Sequence, residues 1–160
     1  MTKRTIVGDS SPLIALAVIG QLELLPKLYQ QVVIPEKVWE EITVDGAGLP
    51  GALAISQLGW LIMQKPSPEL VRPLSIVLDP GEAEAIALSM TLPDCTVLLD
   101  DAQARRVAER FGANRIGTLG ILRKAKKSGL IAAIKPFTVQ LQGNGTHAPE
   151  FDRGCFAGCW

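Results

Sequence analysis

Four acidic residues stand where a carboxylate can do chemistry rather than only solvate a surface: Asp9 at the end of TIVGD, Glu41 in IPEKVWEEI, Glu82 in LDPGEAEAIAL and Asp100 in TVLLDDAQARRVA. Asp9 and Asp100 follow apolar, β-type runs; Glu41 and Glu82 lie on helical patterns. Oxygen donors of this kind suit Mg²⁺ or Mn²⁺, hard ions that keep several of their waters. Convergent carboxylates repel one another and disturb their own pKa values until a cation arrives, so a purely structural cluster of them is costly. A divalent ion held this way usually serves phosphate chemistry.

Each acid also has a structural reading. Asp9 can form a turn or cap before the helix that Ser11 and Pro12 open, and Glu41 can share a solvated helix face with Glu40. Glu82 falls at the third helical position behind Asp79 and Pro80, the spacing of a capping box. Asp100 can be a polar strand end, although a carboxylate directly after four apolar strand residues is commonly functional. Asp101 can cap the helix that follows.

The elements that would position these groups alternate. TIV at 5–7 reads as a strand, and Ser11 with Pro12 as the cap and first residue of the helix LIALAVIG. A second short helix over 21–29, a strand at 32–34 and a helix opened by Pro35 follow, with Val38, Trp39, Glu41 and Ile42 on the last. Residues 45–50 form a turn, 52–58 a helix and 60–63 a strand; the proline-bearing stretch 65–73 reads as a loop with one turn of helix. A helix from Pro80 to about Met90, the strand TVLLD at 96–100 and a helix over 102–111 stopped by Gly112 come next. A short strand at 114–116, a helix over 119–127 ended by Gly129, and helical pieces at 130–134 and 137–141 complete the pattern. Buried-type strands separated by helices predict an α/β fold, a three-layer α/β/α sandwich with a mainly parallel central sheet. Ligands gather at the carboxyl ends of such strands, where Asp9 and Asp100 fall.

A chain of 160 residues with 48% hydrophobic content can bury about 68–70% of its extended surface, which predicts one domain. Residues 1–142 carry the pattern; 143–160 are glycine-rich and aperiodic and read as a poorly ordered or loosely docked tail. Lys and Arg total 16 against 16 Asp and Glu, so no global charge announces a nucleic-acid partner, and basic character is confined to clusters: Arg105, Arg106 and Arg110, then Arg123, Lys124, Lys126 and Lys127. The run PLIALAVIG is much shorter than the ~20 residues needed to span a bilayer, and three cysteines form no disulfide framework; both predict a cytoplasmic protein without a membrane segment. His147, Cys155 and Cys159 superficially suggest zinc, but the C-x₃-C spacing is not a standard ligand pair and a fourth ligand is uncertain.

Taken in series, Asp9 with the SSPLIALAVIGQLELL that follows it, VVIPEKVWEEI, LDPGEAEAIALS, VLLDDAQARRVAERFG and GTLGILRKAKKSGLI resemble the PIN-domain superfamily, and more narrowly prokaryotic relatives of the VapC toxins. The resemblance covers roughly residues 5–136. It implies a metal-dependent nuclease, with Asp9, Glu41, Glu82 and Asp100 as its acidic residues, Asp101 as an additional ligand or neighbour, and Ser11 and Thr118 as hydroxyls near the pocket. The implied reaction is phosphodiester hydrolysis with Mg²⁺ or Mn²⁺, and no protein nucleophile is needed. Arg105, Arg106 and the RKAKK run are placed to hold RNA, although RKAKK also suits a solvated helix face near a C-terminus and Arg106 can pair with an acid instead. The implied partners are RNA, a small antitoxin protein and a second copy in a homodimer. The chain departs from its relatives after Lys135-Pro136, where QLQGNGTHAPEFDRGCFAGCW replaces a helical ending.

Overall fold

The structure, a computed structural model, describes residues 4–144. Five parallel strands, β1 (Thr5–Gly8), β2 (Gln31–Pro35), β3 (Leu61–Gln64), β4 (Cys95–Leu98) and β5 (Asn114–Ile116), form one sheet in the order β3-β2-β1-β4-β5. The helices are α1 (Ser10–Val18), α2 (Leu24–Leu28), α3 (Glu36–Glu40), α4 (Ala52–Ser56), α5 (Pro68–Leu74), α6 (Pro80–Thr91), α7 (Ala102–Arg110), α8 (Thr118–Lys127) and α9 (Lys135–Gly143). A π-helical turn, Glu41–Asp45, continues α3.

Alternation along the buried strands sorts their side chains onto two faces. Ile6, Val32, Ile34 and Leu98 join Leu13 and Leu16 of α1, Leu24 and Leu25 of α2 and Ile121 and Leu122 of α8 in one core. Their neighbours Val7, Val33, Val97 and Leu99 join Leu74 of α5, Ile86 of α6 and Ala104 and Ala108 of α7 in a second. The expected three-layer α/β sandwich is therefore the observed fold. Its strand order reverses between β1 and β4, whose register runs from Thr5 opposite Cys95 to Gly8 opposite Leu98. Both strands thus end side by side, and the next residues emerge into the crevice where α/β sheets bind ligands.

Local chemistry explains most helix ends. Gly112 and Gly129, at φ 74° and 73°, close α7 and α8 in paired terminal bonds: Ala113 N–H to the Ala108 carbonyl with Gly112 to Glu109, and Leu130 to Ala125 with Gly129 to Lys126. Three expectations need correction. Helix α1 begins at Ser10, because the Asp9 carbonyl, not that of Ser11, accepts the first intrahelical bond, from Leu13 N–H at 3.4 Å. The stretch read as a loop over 65–73 contains α5, with Pro68 in its first turn and Leu74 fully buried. Residues 130–134, read as helical, are irregular after the Gly129 turn, and only the last piece, α9, is a helix. Among the described residues no helix is long and apolar enough to cross a membrane. The tail from residue 145 onward, with His147, Cys155 and Cys159, lies outside the described residues.

Candidate active site

Asp9 leaves β1 tied to β4, its amide donating to the Leu98 carbonyl at 3.2 Å. The residue is 3% exposed and stands at the cap position of α1 with extended backbone, yet its side chain makes no capping bond. Its Oδ1 is buried without a hydrogen-bond partner. Burial pushes its pKa from 3.8 to about 8, against the lowering effect of the Ser10 amide and with the added repulsion of Glu82, Glu41 and Asp100. A structural cap would have its oxygens satisfied, since a buried polar group left unpaired costs about 1–3 kcal/mol. The capping alternative for Asp9 is not what the fold uses.

Glu41 opens the π-helical turn, between buried Val38 and Ile42, and is itself only partly exposed. Such turns recur at functional positions in helices. Its carboxylate accepts from Ser10 Oγ at 3.1 Å through Oε2 and from the Gly81 amide at 3.1 Å through Oε1. Glu41 is thus turned into the protein at the start of α6, not displayed with Glu40.

Helix α6 carries the capping box expected from its sequence, Asp79 at the cap and Glu82 reaching back to the Asp79 amide. That bond is long, 3.4 Å. Half-buried Glu82 has its pKa raised from 4.5 to about 7, first by burial and then by Asp101, with Asp79 and Glu41 adding to it. The positive end of α6 favours both carboxylates.

Asp100 follows β4 and is held by the start of α8: the Thr118 amide donates to Oδ1 at 2.7 Å and the Thr118 hydroxyl to Oδ2 at 2.5 Å. Burial raises its pKa, while the two Thr118 bonds and the Arg105 guanidinium oppose the rise. Arg105 is partly buried and its Nε has no acceptor, whereas Arg106 and Ser11 are exposed. Asp101 caps α7, accepting from the Ala104 amide at 2.8 Å. Thr118 is fully buried, so Thr118→Val is expected to leave the packing intact and to remove a charge-assisted bond, destabilising the protein by about 1.5–3 kcal/mol. Urea unfolding of the native protein and this variant checks this, and an unchanged stability would mean that the hydroxyl does not hold Asp100.

Asp9, Glu41, Glu82 and Asp100 therefore share one electrostatic neighbourhood at the carboxyl ends of β1 and β4, with Asp101 beside Glu82. Among the described residues, however, no three His, Cys, Asp or Glu side chains stand together as a ready metal cluster. Three of the four acids have carboxylates engaged in internal hydrogen bonds, and Asp9 alone keeps a buried oxygen open. The Asp9-Ser10-Ser11 run offers two hydroxyls, of which the resemblance put Ser11 near the pocket, but the one that meets Glu41 is that of Ser10; Gly81 and Gly117 were passed over. A Cβ on Gly117 would lie 3.0 Å from Asp100 Oδ1 and 3.7 Å from Arg105 Nη1, so that glycine admits both groups. The adjacent hydroxyl pair and the DPGE glycine were the available signals; their partners are 31 and 40 residues away along the chain.

No curated protein matches this chain. A protein family described as DUF3368: PIN domain matches residues 5–151, which includes every strand, helix and acidic residue considered above. The chain belongs to this family of PIN domains.

Proposed function

We propose that the protein is a Mg²⁺- or Mn²⁺-dependent ribonuclease that hydrolyses RNA phosphodiester bonds, acting in the cytoplasm as the toxin of a toxin–antitoxin pair. One observation carries the catalytic part: the Asp9 carboxylate, buried with one oxygen unpartnered, in the field of Glu41, Glu82 and Asp100. A cation removes the cost of such an arrangement, and an all-oxygen donor set fits a hard divalent ion. Asp9, Glu41, Glu82 and Asp100 would hold it, with Asp101 at its edge; the long capping bond of Glu82 is readily surrendered. When bound, the ion lowers the pKa of water and stabilises charge on the leaving oxygen.

The chain's own residues do the positioning. Thr118 and Arg105 oppose the effect of burial on Asp100 and Thr118 aims its carboxylate, and Ser10 and the Gly81 amide fix Glu41. Exposed Arg106, Arg123, Lys126 and Lys127 offer charge to an RNA backbone, a contact that orients without reading sequence. RNA as substrate, a small antitoxin over the cleft and a homodimer rest on the resemblance to VapC relatives and on PIN-domain membership.

A second reading, a PIN-like binding module without catalysis, is favoured by the engagement of both Glu41 oxygens and by the lack of a gathered three-acid cluster among the described residues. Incubating purified protein with structured and single-stranded RNAs in Mn²⁺, Mg²⁺ or EDTA separates the two. Cutting that requires the ion and is lost in Asp100→Asn is expected. A folded protein that neither cuts nor binds Mn²⁺ would leave the binding module.

A further inference from the structure

Gly81 is buried at the second position of α6, and its φ lies outside the left-handed region, so its backbone does not call for glycine. Alanine would suit a helical position better, because glycine adds conformational entropy to the unfolded chain. What a side chain there would displace is the Glu41 carboxylate: a Cβ at residue 81 would lie 2.7 Å from Oε1 and 2.8 Å from the carboxyl carbon, with Oε2 nearer still, so the carboxylate would have to leave its present position. The missing side chain lets the carboxylate reach the Gly81 amide, while Ser10 Oγ holds its other oxygen. Since Ser10 follows Asp9 and Gly81 precedes Glu82, this clamp ties three of the acids to one another across the start of α1, the π-helical turn and α6.

We infer that Gly81 and Ser10 are positioning residues that set Glu41 for divalent-cation binding, Gly81 by leaving room for the carboxylate and donating its amide, Ser10 by donating its hydroxyl. The inference rests on the metal-dependent reading above. It assigns a purpose to the glycine of DPGE that its helical conformation does not.

Mn²⁺ binding to the full, metal-free chain, followed by electron paramagnetic resonance, tests this beside thermal unfolding. Gly81→Ala is expected to weaken Mn²⁺ binding by about 10- to 100-fold, the usual effect of removing support from a ligand. Adding Glu41→Asp, whose shorter side chain withdraws from the new methyl, should recover part of the loss. Ser10→Ala should weaken binding and Ser10→Thr should retain it. Native-like affinity in Gly81→Ala would overturn the inference. If the native chain binds no Mn²⁺, the metal-dependent reading fails, and unfolding alone then judges the clamp. Gly81→Ala should lower the melting temperature of the native chain and raise it in a Glu41→Ala background. The same shift in both backgrounds would show that Gly81 does not act on Glu41. Should Gly81→Ala not fold, the Glu41→Ala double variant is expected to fold, and its failure would count against the clamp.

Discussion

Asp9→Asn is expected to stabilise the metal-free protein at neutral and alkaline pH while abolishing Mn²⁺ binding and RNA cleavage. The sign follows from where the proton sits. Asp9 holds its proton up to about pH 8 in the folded chain, whereas an ordinary aspartate loses it near 3.8. Between those values the folded state binds more protons than the unfolded one, so stability falls as pH rises through this window. The slope is about 1.4 kcal/mol for each pH unit at full difference, and the total is on the order of a few kcal/mol. Glu82, raised from 4.5 to about 7, pushes the same way but is half exposed, so screening reduces its share. Asparagine keeps the shape of Asp9 and cannot ionise. Denaturant unfolding in EDTA from pH 5 to 8.5 should show the native protein losing stability and Asp9→Asn losing much less. A native protein more stable at pH 8 than at pH 5 without metal would refute this.

The second large effect concerns the helix that presents Gly81 and Glu82. Ile86, fully buried beneath α6, belongs to the core formed with Val7, Val97 and Leu99. Ile86→Ala removes three carbons from a close-packed site and should cost about 2–5 kcal/mol. At this chain length the melting temperature should fall by roughly 5–15 °C. Ile76, by contrast, is 83% exposed in the connection from α5 to α6, and Ile76→Ala should stay within about 0.5 kcal/mol. Calorimetric melting of the two variants side by side checks the pair, and similar losses would mean that the described core is wrong.

Much of the fold could be read in the chain because its signals are local. The apolar run before Asp100 became β4, Asp79-Pro80-Gly81-Glu82 became the capped start of α6, and Gly112 and Gly129 became helix terminators. Helix α5 escaped because Pro68 and Pro73 argue against a helix, yet Pro68 needs no amide partner in the first turn and burial of Leu74 outweighs the second proline. Residues 130–134 misled in the other direction: their apolar content suggested a helix that the Gly129 turn does not permit to continue.

The site divides along the same line. That Asp9 and Asp100 leave neighbouring strands follows from a parallel sheet, and their burial beside Glu41 and Glu82 completes the neighbourhood. Which hydroxyl meets Glu41, and that Arg105 rather than exposed Arg106 faces Asp100, depend on contacts between segments far apart in sequence. No periodicity reports those contacts. Gly81 is the instructive case, since a glycine in a good helix start looks like a weakness until the carboxylate above it is located.

The most direct test of a single divalent-cation site is a calorimetric titration of Mn²⁺ into the full-length native protein, Asp9→Asn and Asp100→Asn at pH 7.5. Saturable binding by the native protein, lost in both folded variants, is the expected result, because the two acids follow the ends of adjacent strands and Asp9 feels the charge of Asp100. Native affinity retained by either variant, or a folded native protein that binds no Mn²⁺, would contradict it.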